Sequence, residues 1–565
     1  MDFKQQIAKQ LSGLTGLEYD TVISAVETPP DPALGDLAFP CFPLARIMRK
    51  SPAAIAAELA EKIDRPEFVE RIETAGGYLN FFYSRGGYAK AQLKEFFEAG
   101  ENYGKSNEGD GKTVLVEFSS PNIAKPFHIG HLFSTALGNS LEKIYSFLGY
   151  KTVKINHLGD WGTQFGKLIS AYKRWGDPKV IENDPIKELL KLYVRFHEEA
   201  KENPELDDEA REYFRLLEQG DEDTTSLWKY FREISLVEFK RVYDMLNISF
   251  DSYNGESFYS DKMDEVVEIL KEKGLLVESE GAMVVDLSEE NMPPCMILKS
   301  NGTTIYATRD IAAALYRHRT YDFYKNIYVV GMPQELHFKQ IFSVVEKMCG
   351  DWAKNCVHVG FGLVKFPDKK LSTRDGDVVF LEDVLKESVS KTRGIMQESS
   401  PDLENPDETA EKVGIGAVLY TFLKNNREKD IIFSWDTMLD FEGESGPYVQ
   451  YSYARGRSIL RRSGEDFQCA DFSLLTSDEE YELIKHISSY GDAVATAAAK
   501  NEPFYVNRYV TTLAKLFNKF YNVSPILKDG VEPELKKARL ALVSTATIII
   551  KSALGLLGIE TVEKM

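Results

Sequence analysis

Residues 113–156 constrain the possible folds more than any other stretch of this chain. Thr113-Val114-Leu115-Val116-Glu117-Phe118 is a short β-rich run. A polar loop follows, then a helical pattern from about His131 to Leu148, then a second strand-like run from Lys151 to Asn156. Strand, loop, helix and strand in that order form a βαβ unit, the opening of a parallel sheet. Open α/β sheets bind ligands in the loops at the carboxyl ends of their strands. The loop after the first strand is therefore the first place to look for chemistry.

That loop reads Ser119-Ser120-Pro121-Asn122-Ile123-Ala124-Lys125-Pro126-Phe127-His128-Ile129-Gly130-His131. Histidines three apart at the start of a helix share one face of its first turn. A helix N-terminus also offers free N–H groups and a partial positive charge to an anion. Gly130 keeps the backbone open to a flat or phosphorylated ligand. Lys125 adds a cation, and Pro121 and Pro126 stiffen the approach. Together these residues predict a nucleotide cradle. An isolated His-x-x-His would sooner be a helix cap plus a surface residue, and no third ligand supports a zinc site. The strand–loop–helix setting favours the nucleotide.

His128-Ile129-Gly130-His131 is similar to the HIGH tetrapeptide of class I aminoacyl-tRNA synthetases. Its flanks, Glu117, Ser120-Pro121-Asn122 and Lys125, resemble the arginyl-tRNA synthetase family in particular. The resemblance implies that His128, Gly130 and His131 contact ATP and that the histidines stabilise its phosphates as the amino acid is activated. Such catalysis is electrostatic, with little covalent work for the protein. Class I enzymes carry a second motif, KMSKS, and Lys370-Leu371-Ser372-Thr373-Arg374 stands in its place after the strand-like segment 357–364. Lys370 and Ser372 match, while Thr373 replaces the lysine that binds pyrophosphate. Many arginyl enzymes lack that lysine and use one just upstream of HIGH, here Lys125, so the loss and the gain are paired. Alone, the 369–374 cluster would read as a solvated loop. The implied catalytic set is His128, His131, Lys125, Lys370 and Ser372, acting on ATP with Mg2+, with no structural metal.

An enzyme that selects arginine needs carboxylates placed for the planar guanidinium fork. By resemblance, Tyr306-Ala307-Thr308-Arg309-Asp310 supplies Asp310 for the guanidinium and Tyr306 as a wall. Gly331-Met332-Pro333-Gln334-Glu335-Leu336-His337 supplies Gln334, and Gly255-Glu256-Ser257 a second carboxylate, Glu256. Glu117, Ser120, Asn122 and His128 are expected at the amino-acid end. Read from the residues alone, Asp310 could equally pair with Arg309 or cap a helix before Ile311. A pocket built on hydrogen bonds can reject an analogue that lacks the partner by ~10⁴-fold. The segment Asn156-His157-Leu158-Gly159-Asp160-Trp161-Gly162-Thr163-Gln164-Phe165-Gly166 also resembles the family; Trp161 reads as a packing residue and Gln164 as a neighbour of substrate.

Residues 451–464 hold four arginines (455, 457, 461, 462) among tyrosines and no acid. Unstacked RNA bases stack on aromatic rings while basic groups hold phosphates. An amphipathic core helix with buried tyrosines and solvated arginines would show the same pattern. The resemblance implies that Tyr448, Ser452, Arg455, Tyr521 and Met565 lie near tRNA. It implies three parts: an N-terminal α/β module (1–105) that meets the tRNA elbow, a Rossmann-type parallel-sheet catalytic domain (113–407) with a helical insertion at about 175–250, and an all-α anticodon-binding bundle (408–565). Phe39 and Phe42 are expected in the core of the first. Further strands around 282–286, 326–330 and 357–364 are expected to complete the parallel sheet, and helical segments near 448–462, 478–500, 503–521 and 534–557 to form the bundle. The implied reaction joins arginine to AMP and then to the 2′-hydroxyl of the terminal ribose of tRNA(Arg), with tRNA bound before the first step and the enzyme a monomer.

Composition tests that reading. The chain has 565 residues, 43% hydrophobic and 28% charged, ordinary for several globular domains and unlike a disordered or fibrous chain. No uninterrupted apolar run reaches the ~18 residues of a membrane span, the nearest being cut by Lys551. The start has no apolar signal region, so a cytoplasmic protein is expected. Five scattered cysteines form no Cys-x-x-Cys pair and read as small apolar residues in a reducing compartment. Of the opposing facts, the net charge of −20 is the strongest, since phosphate affinity is carried by lysine and arginine. Yet residues 181–225 alone carry 15 acidic against 6 basic residues, whereas residues 501–545 hold 7 basic against 4 acidic. Where the charge sits permits an RNA partner. Asp310 and Glu256 disfavour a class I synthetase for another amino acid, and His128, His131 and Lys125 disfavour a silent paralogue that only binds tRNA.

Overall fold

A computed structural model describes residues 3–300, 302–365 and 379–565. Near the N-terminus, β1 (Leu37–Pro40), β2 (Val69–Ala75) and β3 (Tyr78–Tyr83) form an antiparallel sheet in the order β1-β3-β2. The helix Phe3–Thr15 buries Phe3, Ile7, Ala8 and Leu11, the spacing of one helical face. Met1–Tyr103 joins Ser452–Tyr490 and Thr512–Ile550 in one compact unit. Asp36 ties its sequence-distant parts. Its Oδ1 accepts from the Tyr481 hydroxyl at 2.8 Å and the Lys485 ammonium at 2.7 Å, and its Oδ2 accepts from the Tyr83 N–H at 2.9 Å. Phe39 is buried as expected, but Phe42 is 47% exposed and leans edge-on against Tyr78. It lies beyond the end of β1, where strand alternation no longer turns it inward.

Gly104–Tyr451, Gly491–Thr511 and Lys551–Met565 form the other unit. It contains β4 (Thr113–Glu117), β5 (Lys151–Ile155), β6 (Leu276–Ser279), β7 (Ala282–Val285), β8 (Cys295–Leu298), β9 (Lys325–Val329) and β10 (Cys356–Val359). Four of these make a parallel sheet in the order β10-β9-β4-β5. The chain steps outward from β4 to β5 on one side and from β9 to β10 on the other. The topological switch therefore lies between β4 and β9, and its crevice opens at their carboxyl ends. Val114, Leu115 and Val116 are all 0% exposed, because a parallel sheet is covered on both faces. Leu115, Val153, Ile155, Phe323, Tyr328, Phe338 and Cys356 pack together as one cluster of that core. Four helices (Pro178–Asn183, Pro185–Glu202, Glu205–Glu218, Glu222–Met245) follow β5 and the helix Thr163–Trp175.

The expected strand at 282–286 does not join this sheet. β6, β7 and β8 form a separate antiparallel sheet, because Glu280 and Gly281, at φ +52° and +79°, close a two-residue hairpin. The expected strand 357–364 is two: after β10, β11 (Val364–Lys365) pairs with β12 (Ile431–Ile432). The expected helical segment 478–500 is built of two helices, Asp478–Ser488 and Tyr490–Lys500. Ser488 and Ser489 each donate a hydroxyl proton to a carbonyl three residues back, at 2.8 Å, which competes with continued helix. The helix Pro533–Leu556 is long and apolar enough to cross a membrane by composition, and 67% of its most apolar window is buried inside the protein. Scattered serines and threonines hid it from a search for uninterrupted apolar runs, and its burial is that of a core helix. Cys41, Cys295 and Cys356 are buried, whereas Cys469 is exposed.

Candidate active site

The helix Ile129–Phe147 begins on a reciprocal cap made by two histidines. His128 Nδ1 accepts from the Gly130 N–H at 3.1 Å, and His131 Nδ1 accepts from the His128 N–H at 3.1 Å. The two ring centroids lie 3.9 Å apart. An imidazole nitrogen that accepts a hydrogen bond carries no proton, so each neutral ring holds its N–H on Nε2. Burial brings the pKa of His128 down to about 4. Burial, reinforced by His128, puts His131 well below the usual imidazole range. Both rings are therefore neutral donors at pH 7. Gly130 has a reason internal to the chain as well, since a Cβ there would lie 2.9 Å from the His128 ring.

The loop that precedes this helix is bent and tightly held. Ser119, Ser120 and Ala124 all have positive φ, at +68°, +47° and +57°, a conformation that persists in such residues only when the surroundings enforce it. The Ser119 N–H donates to Ser134 Oγ at 2.9 Å, and that hydroxyl donates to the Val329 carbonyl at 2.7 Å. Ser119 Oγ and the Tyr243 hydroxyl are 2.8 Å apart. The Ala124 N–H donates to Ser235 Oγ at 2.8 Å. Ser120 Oγ accepts from the His157 N–H at 3.2 Å, which joins the loops after β4 and β5. Asn122 bridges Gly159 through its backbone and leaves its side chain exposed. Lys125 Nζ lies 5.6 Å from the centre of the Tyr193 ring. Val379 returns to this loop, its carbonyl accepting from the Ile129 N–H at 3.1 Å, and Phe380 bridges His128. Lys370 and Ser372 lie outside the described residues.

Around the crevice, every expected carboxylate has a partner within the chain. Glu117, at the end of β4, is 5% exposed and pairs with Arg317 Nη1 at 2.5 Å. Arg317, 1% exposed, reaches His157 Nδ1 with Nη2 at 3.3 Å. Asp310 Oδ2 is 2.7 Å from His337 Nε2, and its Oδ1 is 4.0 Å from His157 Nε2. Asp310 therefore neither pairs with Arg309 nor caps its helix; Arg309 turns to Glu256 at 3.2 Å. Burial pushes the Glu256 carboxyl up to about 7 against the opposing pull of Arg309, with Asp310 and Asp160 adding to the rise. Asp160 is 0% exposed and accepts from Arg232 Nε at 3.0 Å, the Ser257 N–H at 2.8 Å and the Ser257 hydroxyl at 2.9 Å. That clamp fixes the turn that carries Glu256.

Tyr306 is 60% exposed, with its ring 4.9 Å from that of His337. Gln334 is exposed at the end of the Met332–Gln334 turn. Gln164 makes a local bond, its Nε2 donating to the Trp161 carbonyl at 3.3 Å. Ser452 requires a correction. It is fully buried and accepts from Asn518 Nδ2 at 2.8 Å, so it links two helices instead of facing RNA. Arg455 donates to Asn518 Oδ1 at 2.6 Å and lies over the half-exposed Tyr521 ring at 5.2 Å. Tyr448 is partly buried, and Met565 packs against the cluster of Met396, Ala410, Val413 and Val562. Sequence reasoning missed Arg317, His157, His337 and Asp160. Asp310 and Arg317 sit seven apart on the helix Tyr306–Tyr321, which places them on one face and was the one signal available for Arg317.

Comparison with known proteins agrees along the whole chain. Residues 92–435 match the family profile "tRNA synthetases class I (R), catalytic domain", residues 449–565 the "DALR anticodon binding domain", and residues 1–83 the "Arginyl tRNA synthetase N terminal domain". The arginine–tRNA ligase of Clostridium beijerinckii is 57% identical over 565 residues, covering 100% of both chains. Among solved structures, the arginyl-tRNA synthetase of Thermus thermophilus superposes with a TM-score of 0.83 at 26% identity, covering 100% of each chain. That of Plasmodium falciparum gives 0.81 at 28% identity over 99% of each. A family profile spanning most of the chain and a full-length relative at this identity place the protein without ambiguity: it belongs to the arginyl-tRNA synthetases of class I.

Proposed function

We propose that the crevice at the carboxyl ends of β4 and β9 is where this arginine–tRNA ligase joins arginine to AMP. The observation that carries the proposal is the histidine cap. Two neutral imidazoles, each with its single N–H on Nε2, stand at the positive end of a buried helix, a preorganised donor set for charge that develops on phosphate. In the first step an arginine carboxylate oxygen attacks the α-phosphorus, the new P–O bond forms, and the bond to pyrophosphate breaks. His128, Gly130 and His131 receive ATP, and Lys125 takes up charge on the departing pyrophosphate, with Lys370 and Ser372 assigned there by their motif. In the second step the 2′-hydroxyl of the terminal tRNA ribose attacks the arginyl carbonyl carbon and AMP leaves.

Asp310 and Glu256 receive the guanidinium, with Tyr306 and Gln334 beside it, while Glu117, Ser120, Asn122 and His128 hold the amino-acid end. Among the described residues no group of three or more His, Cys, Asp or Glu side chains could hold a metal ion. Mg2+ is assigned to the ATP phosphates, the usual mode for this tightly hydrated cation. Residues 1–105 are assigned to the tRNA elbow and 408–565 to the anticodon, with Tyr448, Arg455 and Tyr521 as contacts, in a monomeric, cytoplasmic enzyme. Aminoacylation of total tRNA with each amino acid in turn should show charging by arginine alone; charging by another amino acid would overturn the pocket assignment. Lys125→Ala should lower kcat by an order of magnitude or more, and unchanged activity would remove Lys125 from the mechanism.

A further inference from the structure

We propose that His157 is a positioning residue of the arginine pocket, holding Asp310 in place through a proton that buried Arg317 keeps on Nε2. The inference rests on Asp310 being a carboxylate that receives the guanidinium. His157 lies two residues beyond the end of β5, and its Nδ1 is 3.3 Å from Arg317 Nη2. A guanidinium has donors and no acceptor, so Nδ1 accepts at that contact and the ring's proton is on Nε2. That nitrogen faces Asp310 Oδ1 at 4.0 Å, while His337 Nε2 holds the other oxygen at 2.7 Å. The first gap is longer than a hydrogen bond, of the kind that tightens when substrate fills a site. Each carboxylate oxygen thus faces one imidazole and keeps a second lone-pair direction for a guanidinium fork.

Three further observations explain why the arrangement is stable. Arg317 is 1% exposed and its charge is met by Glu117 at 2.5 Å, so the tautomer lock adds no net charge to the pocket. Tyr259, 1% exposed, stacks on the His157 ring with centroids 5.5 Å apart and planes 25° from parallel, which limits ring rotation. Burial also lowers the pKa of His157, in keeping with a neutral ring. The chain Glu117–Arg317–His157–Asp310 therefore connects the residue assigned to the amino-acid end with the residue assigned to the guanidinium end. Two of its four members, Arg317 and His157, were given no role by the motifs that identify the site.

The test compares arginine KM, ATP KM and kcat in aminoacylation by the full-length enzyme. His157→Phe keeps a ring and removes both nitrogens; it should raise the KM for arginine about tenfold or more, the loss expected for one hydrogen bond to a charged group. The KM for ATP should move by less than about twofold if the lesion is confined to the arginine pocket. His157→Gln, whose amide can accept from Arg317 and donate to Asp310, should recover most of that loss. Asp310→Asn serves as the reference. If it leaves the arginine KM unchanged, the pocket assignment itself fails. If it raises that KM while His157→Phe does not, only the positioning role fails. Equal rises for arginine and ATP, with no rescue by glutamine, would also overturn the role. Nitrogen-15 spectra of histidine-labelled wild type give a check without mutation: an Nδ1–H tautomer at His157 would refute the lock.

Discussion

Glu256 shows how opposing local influences set the behaviour of one residue. Burial raises its carboxyl to about 7, although Arg309 stands 3.2 Å away and opposes the shift. A guanidinium binds the ionised form, so below pH 7 arginine must displace a proton. The KM for arginine should therefore rise as pH falls below about 7, approaching tenfold per unit, and level off above it. A KM that stays flat from pH 6 to 8 would count against Glu256 as a guanidinium contact. The same shift acts on stability. The folded-state pKa lies above the ordinary value of 4.5, so the contribution to stability is fully present below 4.5 and lost as pH rises through 7. Glu256→Gln mimics the protonated form and should melt higher than wild type at pH 8 while binding arginine less well. His128 and His131 were legible at this scale because they are neighbours in a contiguous motif. Their tautomers were not, since those depend on which backbone N–H each ring caps.

The loop between β4 and its helix illustrates how elements supply what a motif lacks. Ser119, Ser120 and Ala124 adopt left-handed backbone conformations that their side chains disfavour. Within the loop, the Ser120 N–H donates to the Phe118 carbonyl at 2.9 Å, and partners outside the loop add to this. Ser134 in the following helix and Ser235 in the insertion helix Glu222–Met245 each accept from a backbone N–H of the loop. Ser235→Ala would leave the Ala124 N–H without that acceptor next to Lys125. It should destabilise the protein by about 1–3 kcal/mol in a denaturant melt and raise the KM for ATP more than that for arginine. Equal kinetic effects on both substrates would argue that Ser235 does not support the phosphate end. The pattern of β4, β5 and the helix between them was readable from residue order, because each element is short and periodic. The strand at 282–286 is expected in the parallel sheet but pairs with β6 and β8, because an apolar run does not announce its pairing direction.

At the scale of the molecule, net charge misdirects. Nearly half of the −20 sits in residues 181–225 of the acidic insertion, whereas Arg455 lies on the helix Gly446–Ser463 beside half-exposed Tyr521. Distribution governs which partners are admitted, while the sum bears on solubility. Asp36 is the corresponding case for stability. It collects a backbone N–H from β3 and the side chains of Tyr481 and Lys485, from helix Asp478–Ser488. Asp36→Ala would remove both acceptor oxygens and leave three donors without them at once. A loss of about 2–3 kcal/mol is expected, more than one hydrogen bond contributes, with melting measured in urea. A change below about 0.5 kcal/mol would show that this junction does not hold the unit together.

The order of residues alone determined the βαβ opening, the histidine pair at the helix start, the basic C-terminal stretch and the family to which they belong. Each of these is local, so that periodicity and contiguity suffice to reveal it. Tertiary structure decided which polar groups meet. His157 and Arg317 are 160 residues apart in sequence, and Arg317 finds Glu117 only because β4, β5 and the helix Tyr306–Tyr321 pack around one crevice. It also decided that Ser452 is buried and Phe42 exposed. A buried charge must find a partner, but the strand that brings that partner is chosen by the packing of the whole unit and leaves no trace in nearby sequence.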